Sequence, residues 1–374
     1  MFRSKCLFIV FAVALIVIAL TACNAPAQLA TVPAPTTAVP ASGAIVVTDA
    51  LNRTVKFDKV PQRIVLAGKA FFMIVDAIYL FPEAGQRVVG MHDTSQSKLD
   101  FMPLIDANMS NKTLFPGGDV GPEQILPAKP DVVITKSVNA SKLGKSLEQV
   151  NVPVIYVDFE LPEQYARDLA ILGQVLGNPE RAKKIDAYYK AQMDRVSSKT
   201  RNLNDADKPR VLLLQYAEKS GTVAFSVAPA AWMQTLIVEM AGGKAIWKEA
   251  SDKGGWTVVN LEQIAAWNSD LVFVVNYGGN SKDVVAKLKA DPKWQSLKAI
   301  KEGKIYGFPG EFYTWDQPDT RWGLGLIWLA TKIHPALFGD VNIVQEINQF
   351  YALYGLDPAA VQSKVTPLLT GDLP

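Results

Sequence analysis

Residues 123–134 read EQILPAKPDVVI and residues 262–273 read EQIAAWNSDLVF, two stretches 139 residues apart that share five of twelve aligned positions. The identities are Glu123/Glu262, Gln124/Gln263, Ile125/Ile264, Asp131/Asp270 and Val133/Val272. Each copy opens as a short amphipathic helix and closes on an apolar, β-branched run suited to a parallel strand covered on both faces. A repeat at this spacing implies two lobes on one plan, with equivalent glutamates opening equivalent helices.

The surrounding sequence fits that plan. Upstream, residues 46–49 and 55–57 read as a short hairpin, and 64–66 (IVL) as a buried strand running through Ala67-Gly68-Lys69 into a helix over about 70–80. Strands at 88–90, 132–134 and 154–157 follow. Downstream the alternation resumes, with strands at 210–214, 271–275 and 305–307 and helices at 229–241, 319–333 and 342–354. Alternating strands and helices predict parallel sheets with helices on their faces. Between the lobes, Pro179 opens a stretch whose residues 180–203 contain neither Gly nor Pro. Ala182, Ile185, Tyr189, Met193 and Val196 form one apolar stripe along it. About 24 residues at ~1.5 Å each span roughly 36 Å, enough for a rigid strut between lobes. The predicted fold class is α/β: two Rossmann-like lobes with parallel central sheets joined by one long rigid α-helix. The expected boundaries are 44–160 for the N-terminal lobe, 161–208 for the helical linker and 209–374 for the C-terminal lobe.

The beginning of the chain predicts the compartment. Arg3 and Lys5 precede an apolar run over 7–20, and Leu20-Thr21-Ala22-Cys23 has the small residues and cysteine of a lipoprotein processing site. Fourteen apolar residues fall short of the ~20 a spanning helix needs. Residues 1–22 are therefore expected to be a removed signal peptide, with Cys23 carrying the lipid. Residues 24–43, rich in Ala, Pro and Thr, continue from it as a tether that cannot bury enough apolar surface to fold. Cys6 leaves with the signal, so the mature chain is expected to contain no disulfide. Once Arg3 and Lys5 are gone, 36 basic and 36 acidic residues remain, a balance that advertises no nucleic-acid partner.

Four segments in order resemble the lipoprotein and periplasmic solute-binding components of ABC importers for iron–siderophore, haem and vitamin B12. They are Pro61-Gln62-Arg63-Ile64-Val65, Gly121 through Ile134, Trp256 with Glu262-Gln263-Ile264, and Pro318 with Arg321 ahead of an apolar helix. The resemblance covers essentially residues 45–374. It implies an extracytoplasmic, lipid-anchored monomer without a cofactor, whose partners are an ABC-importer permease and its ATPase. It also implies that Glu123 and Glu262 dock on permease arginines, one per lobe. The implied cargo is an iron(III) complex, a siderophore- or corrinoid-like chelate. The tail over 320–335 with 338–356 also resembles molybdate- or tungstate-binding relatives, so an oxyanion is the alternative. A surface sensor or adhesin on the same fold is a reading of another class.

Ligands of open α/β sheets sit outside the carboxyl ends of the strands. Those ends give Lys69 and Phe71, Gly117 and Gly118, and Lys136 in the first lobe. In the second they give Gln215, Tyr216, Trp232, Trp256, Tyr277, Trp315 and Arg321. Aromatic rings suit a flat chelate. Glycine amides at 68 and 117–118 with Lys69 and Arg321 suit an oxyanion. Only His92 and His334 are present, too few for a histidine-built metal site, and His334 before Pro335 reads as a helix C-cap. With no phosphate loop, HExxH or GxSxG, and one lipidated cysteine, an enzyme is not expected.

Overall fold

The computed structural model describes residues 43–93, 99–116, 119–251 and 254–373. The signal peptide, Cys23, nearly all of the tether, Gly117 and Gly118 lie outside the described residues. Residues 40–374 form one compact unit.

Strands β1 (Ile45–Thr48) and β2 (Thr54–Phe57) form an antiparallel hairpin. The first lobe follows as β3 (Ile64–Leu66), β4 (Val88–His92), β5 (Thr113–Phe115), β6 (Val132–Lys136) and β7 (Val154–Val157). They pair in the order β5-β4-β3-β6-β7, all parallel. The second lobe contains β8 (Arg210–Lys219), β9 (Thr222–Val227), β10 (Lys244–Ala245), β11 (Thr257–Val259), β12 (Leu271–Val275) and β13 (Ile305–Gly307). Its order is β11-β9-β8-β12-β13, with β10 beside the start of β8. Here β8, β12 and β13 are parallel, β9 runs antiparallel to β8, and β11, antiparallel to β9, runs in the same direction as β8. The expected parallel central sheet is present in both lobes, and in the second the reversed strand β9 lies between β11 and β8. Ser220 and Gly221, with φ of 51° and 78°, turn the β8–β9 hairpin. Two consecutive positive φ values suit such a two-residue turn.

The duplicated stretch is a structural repeat. Helices Pro122–Ile125 and Leu261–Trp267 open it in the two lobes. Lys129 and Asn268, at φ 47° and 44°, end the two helical segments in the left-handed region. Each conserved-in-register aspartate then holds the start of the neighbouring strand. Asp131 accepts from the amides of Gln62 and Arg63, and Asp270 accepts from the amide of Arg210. The arginines reciprocate: Arg63 donates to the Ala128 carbonyl at 2.6 Å and Arg210 to the Trp267 carbonyl at 2.7 Å. The Glu-Gln-Ile…Asp spacing thus encodes one cap-and-clamp unit used twice.

Helices Pro162–Val175 and Pro179–Thr200 link the lobes, and the Asn178 side chain caps the second by accepting from the Arg181 amide. Arg181 donates to carbonyls of both lobes, Leu80 and Leu353. Tyr189 stacks on Trp322 at 5.0 Å and 11° and donates to the Thr320 carbonyl. Such a ring pair contributes about 0.5–1.5 kcal/mol beyond its burial. No helix among the described residues is long and apolar enough to cross a membrane.

Candidate solute-binding cleft

Three adjoining cavities lie between the lobes at the carboxyl ends of the strands. The main one, of about 490 Å³, takes Phe72 and Met73 from beyond β3 and Glu160 and Leu161 from beyond β7. From the second lobe it takes Trp232, Gln234, Trp256, Tyr277, Gln317 and Pro318. A second, of about 190 Å³, shares Tyr277 and Gln317 with it and adds the turn 276–280 and residues 310–314. A third, of about 50 Å³, shares Phe72 with the first and Tyr313 with the second, and includes Phe71 and His92. Phe72 stacks on Tyr313 at 5.4 Å, closing the lobes over the partition.

Of the residues named from sequence, Trp232, Trp256 and Tyr277 come together. Trp232 meets Trp256 at 5.8 Å and 89°, and Trp256 meets Tyr277 at 6.1 Å and 68°. Phe71 lines the small cavity against His92, 4.8 Å away. Gln215 and Tyr216 line none of the three. Tyr216 packs on Phe225 and its hydroxyl donates to Glu218. The cause is the hairpin: β8 continues beyond its expected end at 214, so Gln215 and Tyr216 are mid-strand.

Lys69 is exposed and lines none of the cavities. Of the amides expected to cradle an oxyanion, those of Gly68 and Lys69 are already engaged. Gly68 N–H donates to His92 Nε2 at 3.2 Å and Lys69 N–H to Asn139 Oδ1 at 3.2 Å. Gly68 has φ 99°, and a Cβ there would lie 2.5 Å from the Asn139 side chain. The helix expected from about 70 begins at Phe72 because Ala70 has φ 54°.

Trp315 and Arg321 are fully buried in the wall. Arg321 Nη1 donates to Asp76 Oδ2 at 2.6 Å, and its Nε donates to Glu311. Asp319 accepts the Arg321 amide at 2.6 Å, and Glu311 also accepts from Trp315 Nε1 and the Tyr351 hydroxyl. Asp76 belongs to the first lobe and the rest to the second, so the network ties the lobes together. Burial raises Asp76 to about 6 even beside Arg321, and raises Asp319 well above the carboxylate range. Lys136, also buried, pairs with Glu160 and donates to Met73 Sδ. Its pKa is lowered by burial despite that partner.

Sequence reasoning missed Phe72, Met73, Glu160, Gln234, Asp316 and Gln317. Glu160 and Leu161 follow β7, whose carboxyl end the strand-end argument passed over. Gln234 and Asp316 stand out only once folded. Tyr277 donates to Asp316 Oδ2 at 2.7 Å, while Asp316 Oδ1 and Gln234 Oε1 are buried without a hydrogen-bond partner. Burial pushes Asp316 up to about 6. Thr314, Tyr277 and Gln234 act to lower it, although neither Thr314 nor Gln234 donates to Oδ1 in hydrogen-bond geometry.

That shift has a sign that can be measured. The folded state holds the Asp316 proton more tightly than the unfolded chain does. The associated stability is complete below the ordinary carboxylate pKa and is lost as pH rises through about 6. Asp316→Asn should therefore leave urea stability near wild type at pH 4 and raise it by about 1–3 kcal/mol at pH 8. Equal effects at both pH values would refute a buried, uncompensated carboxylate.

His334 caps the helix Trp322–Ile333, with Nε2 3.1 Å from the Gly242 carbonyl. No group of three or more metal-binding side chains exists among the described residues.

Comparison with known proteins agrees with this geometry. The family model described as periplasmic binding protein matches residues 87–311, more than half of the chain. The molybdate-binding protein MolA of Haemophilus influenzae is 24% identical over 330 residues, covering 82% of this chain and 89% of MolA. The iron-uptake system-binding protein of Bacillus subtilis is 25% identical over 190 residues, covering 49% of this chain and 56% of the relative. A periplasmic solute binding protein structure from Veillonella parvula superimposes with a TM-score of 0.67 at 25% identity, covering 84% of this chain and 94% of that one. A matched family model over this span, on two lobes enclosing a cleft, leads to one conclusion: the chain belongs to the periplasmic binding protein family, the solute-binding proteins of ABC transporters, and is not an enzyme.

Proposed function

We propose that this protein captures an iron(III) complex, a siderophore- or corrinoid-like chelate, between its lobes and delivers it to an ABC permease from a lipid anchor at Cys23. The observation that carries this reading is the cavity of about 490 Å³ walled by Trp232, Trp256, Tyr277 and Phe72. Its volume lies in the range of small-molecule sites, and its rings offer area for a flat or bulky apolar ligand. The relatives add support: beside the iron-uptake protein, an Fe(3+)-citrate-binding protein of Bacillus subtilis and a vitamin B12-binding protein of Vibrio campbellii are similar to this chain. Glu123 and Glu262 would dock the loaded protein on its permease.

Molybdate or tungstate is the second reading, favoured by the extent of the MolA match. The cleft gives it little. Among the described residues no Lys or Arg lines any of the three cavities, and the Gly68 and Lys69 amides are occupied. An oxyanion held there would need cations that Arg321 and Lys136 have already committed to carboxylates.

Calorimetric titration with ferric siderophores, cobalamin, molybdate and tungstate is the deciding experiment. A chelate should bind at micromolar or lower concentration. Trp256→Ala and Trp232→Ala should each weaken it by about 2 kcal/mol, roughly thirtyfold, while Tyr216→Ala changes affinity little. Micromolar binding of an oxyanion alone would overturn the chelate reading.

A further inference from the structure

The walls of the cleft have a consistent sign. Asp93 and Asp100 line the small cavity beside His92, Glu311 the middle one and Glu160 the main one, and no Lys or Arg lines any of them among the described residues. Behind the walls, Lys136 is matched by Glu160, and Arg321 is outnumbered by Asp76, Glu311 and Asp319. Asp316 forms no salt bridge among the described residues; its hydroxyl partner is Tyr277. Two buried acceptors lack donors at this place: Gln234 Oε1, on a side chain that lines the main cavity and is only 4% exposed, and Asp316 Oδ1 beneath Tyr277.

Four aromatic rings line the same cavity as Gln234. Trp232 and Trp256 are perpendicular, Trp256 and Tyr277 nearly so, and Phe72 closes the first-lobe side. An ammonium group needs only one ring face within about 6 Å for cation–π attraction, and a cavity lined by Trp232, Trp256, Tyr277 and Phe72 is rich in such rings. The unmet Gln234 acceptor and the Glu160 carboxylate in the lining, with no Lys or Arg beside them among the described residues, complete the complement of a positive donor.

We infer that the aromatic cavity is a cage for a protonated or quaternary amine, so that the cargo enters it by a cationic end. The inference rests on the reading of this cavity as the ligand site and adds a charge requirement to it. A ligand without a donor group would leave Gln234 Oε1 and Asp316 Oδ1 unmet. An anionic one would find no Lys or Arg in the lining among the described residues.

Matched probes test this on the full chain by isothermal titration calorimetry. Ferrioxamine B has a free ammonium group, its N-acetyl derivative has the same iron centre without the charge, ferric citrate is anionic, and tetramethylammonium contains no iron. The ammonium chelate should bind at least tenfold more tightly than the acetylated one. Asp316→Asn and Trp256→Leu should each shrink that advantage below about threefold, and Asp316→Asn should do so without lowering the melting temperature. Equal or tighter binding of the acetylated chelate overturns the cage and leaves the chelate reading standing. If tetramethylammonium binds, with loss in Asp316→Asn, but no chelate does, the cage stands and the chelate reading falls. Binding of ferric citrate or molybdate alone overturns the cage, as does failure of both cationic probes to bind at millimolar concentration.

Discussion

Arg321→Ala should unfold the protein far more readily than any substitution in the cavity lining, with a loss of about 3–5 kcal/mol. Arg321 is the one cation among Asp76, Glu311 and Asp319, and every member of this group is at most 8% exposed. Removing it strands three buried carboxylates, two of them already raised above their ordinary pKa by burial. Arg321→Lys should fall between: a single ammonium cannot reproduce the separate Nη1 and Nε bonds to Asp76 and Glu311. Denaturant midpoints read the effect directly. Because Asp76 comes from the first lobe, the same variant should loosen the lobes before the sheets melt, visible as early protection loss around helix Phe72–Ile78 in hydrogen exchange. Wild-type stability combined with a large loss of ligand affinity would instead make Arg321 the cleft cation that its place in the sequence suggests.

How far the sequence could be read follows from which signals are local. The repeat was legible because the clamp it encodes needs fixed partners: a first-turn Glu-Gln, an apolar Ile and a strand-capping Asp recur at one spacing. Helix Pro179–Thr200 was legible from its stripe and its proline. The β8–β9 hairpin was not, although Ser220-Gly221 marks its turn, and that omission put Gln215 and Tyr216 at a strand end they do not occupy. Arg321 shows a deeper limit. Residue type identifies a cation, but whether it faces the cleft or three carboxylates depends on Asp76, 245 residues away. The acceptors Gln234 and Asp316 were silent for the same reason, since an unmet hydrogen bond has no sequence signature.

Glu123→Ala with Glu262→Ala should leave ligand affinity unchanged and disable transport. Both glutamates are exposed in the first turns of equivalent helices, and neither forms an ion pair among the described residues. A helix dipole accounts for a first-turn Glu at about 0.3–1 kcal/mol. That explanation is weakest at Glu123, whose helix is four residues long and has little dipole to offset. Two exposed charges repeated by the lobe plan can register a two-lobed protein on a two-fold permease, where each desolvated pair is worth ~2–5 kcal/mol. The single variants should then weaken the permease complex by roughly thirtyfold or more each. Pull-down of the permease by loaded protein separates the explanations, because a dipole role would move only the melting temperature. Normal uptake by cells with the double variant would return both residues to helix stabilisation, and would leave a sensor or adhesin on this fold with the stronger claim.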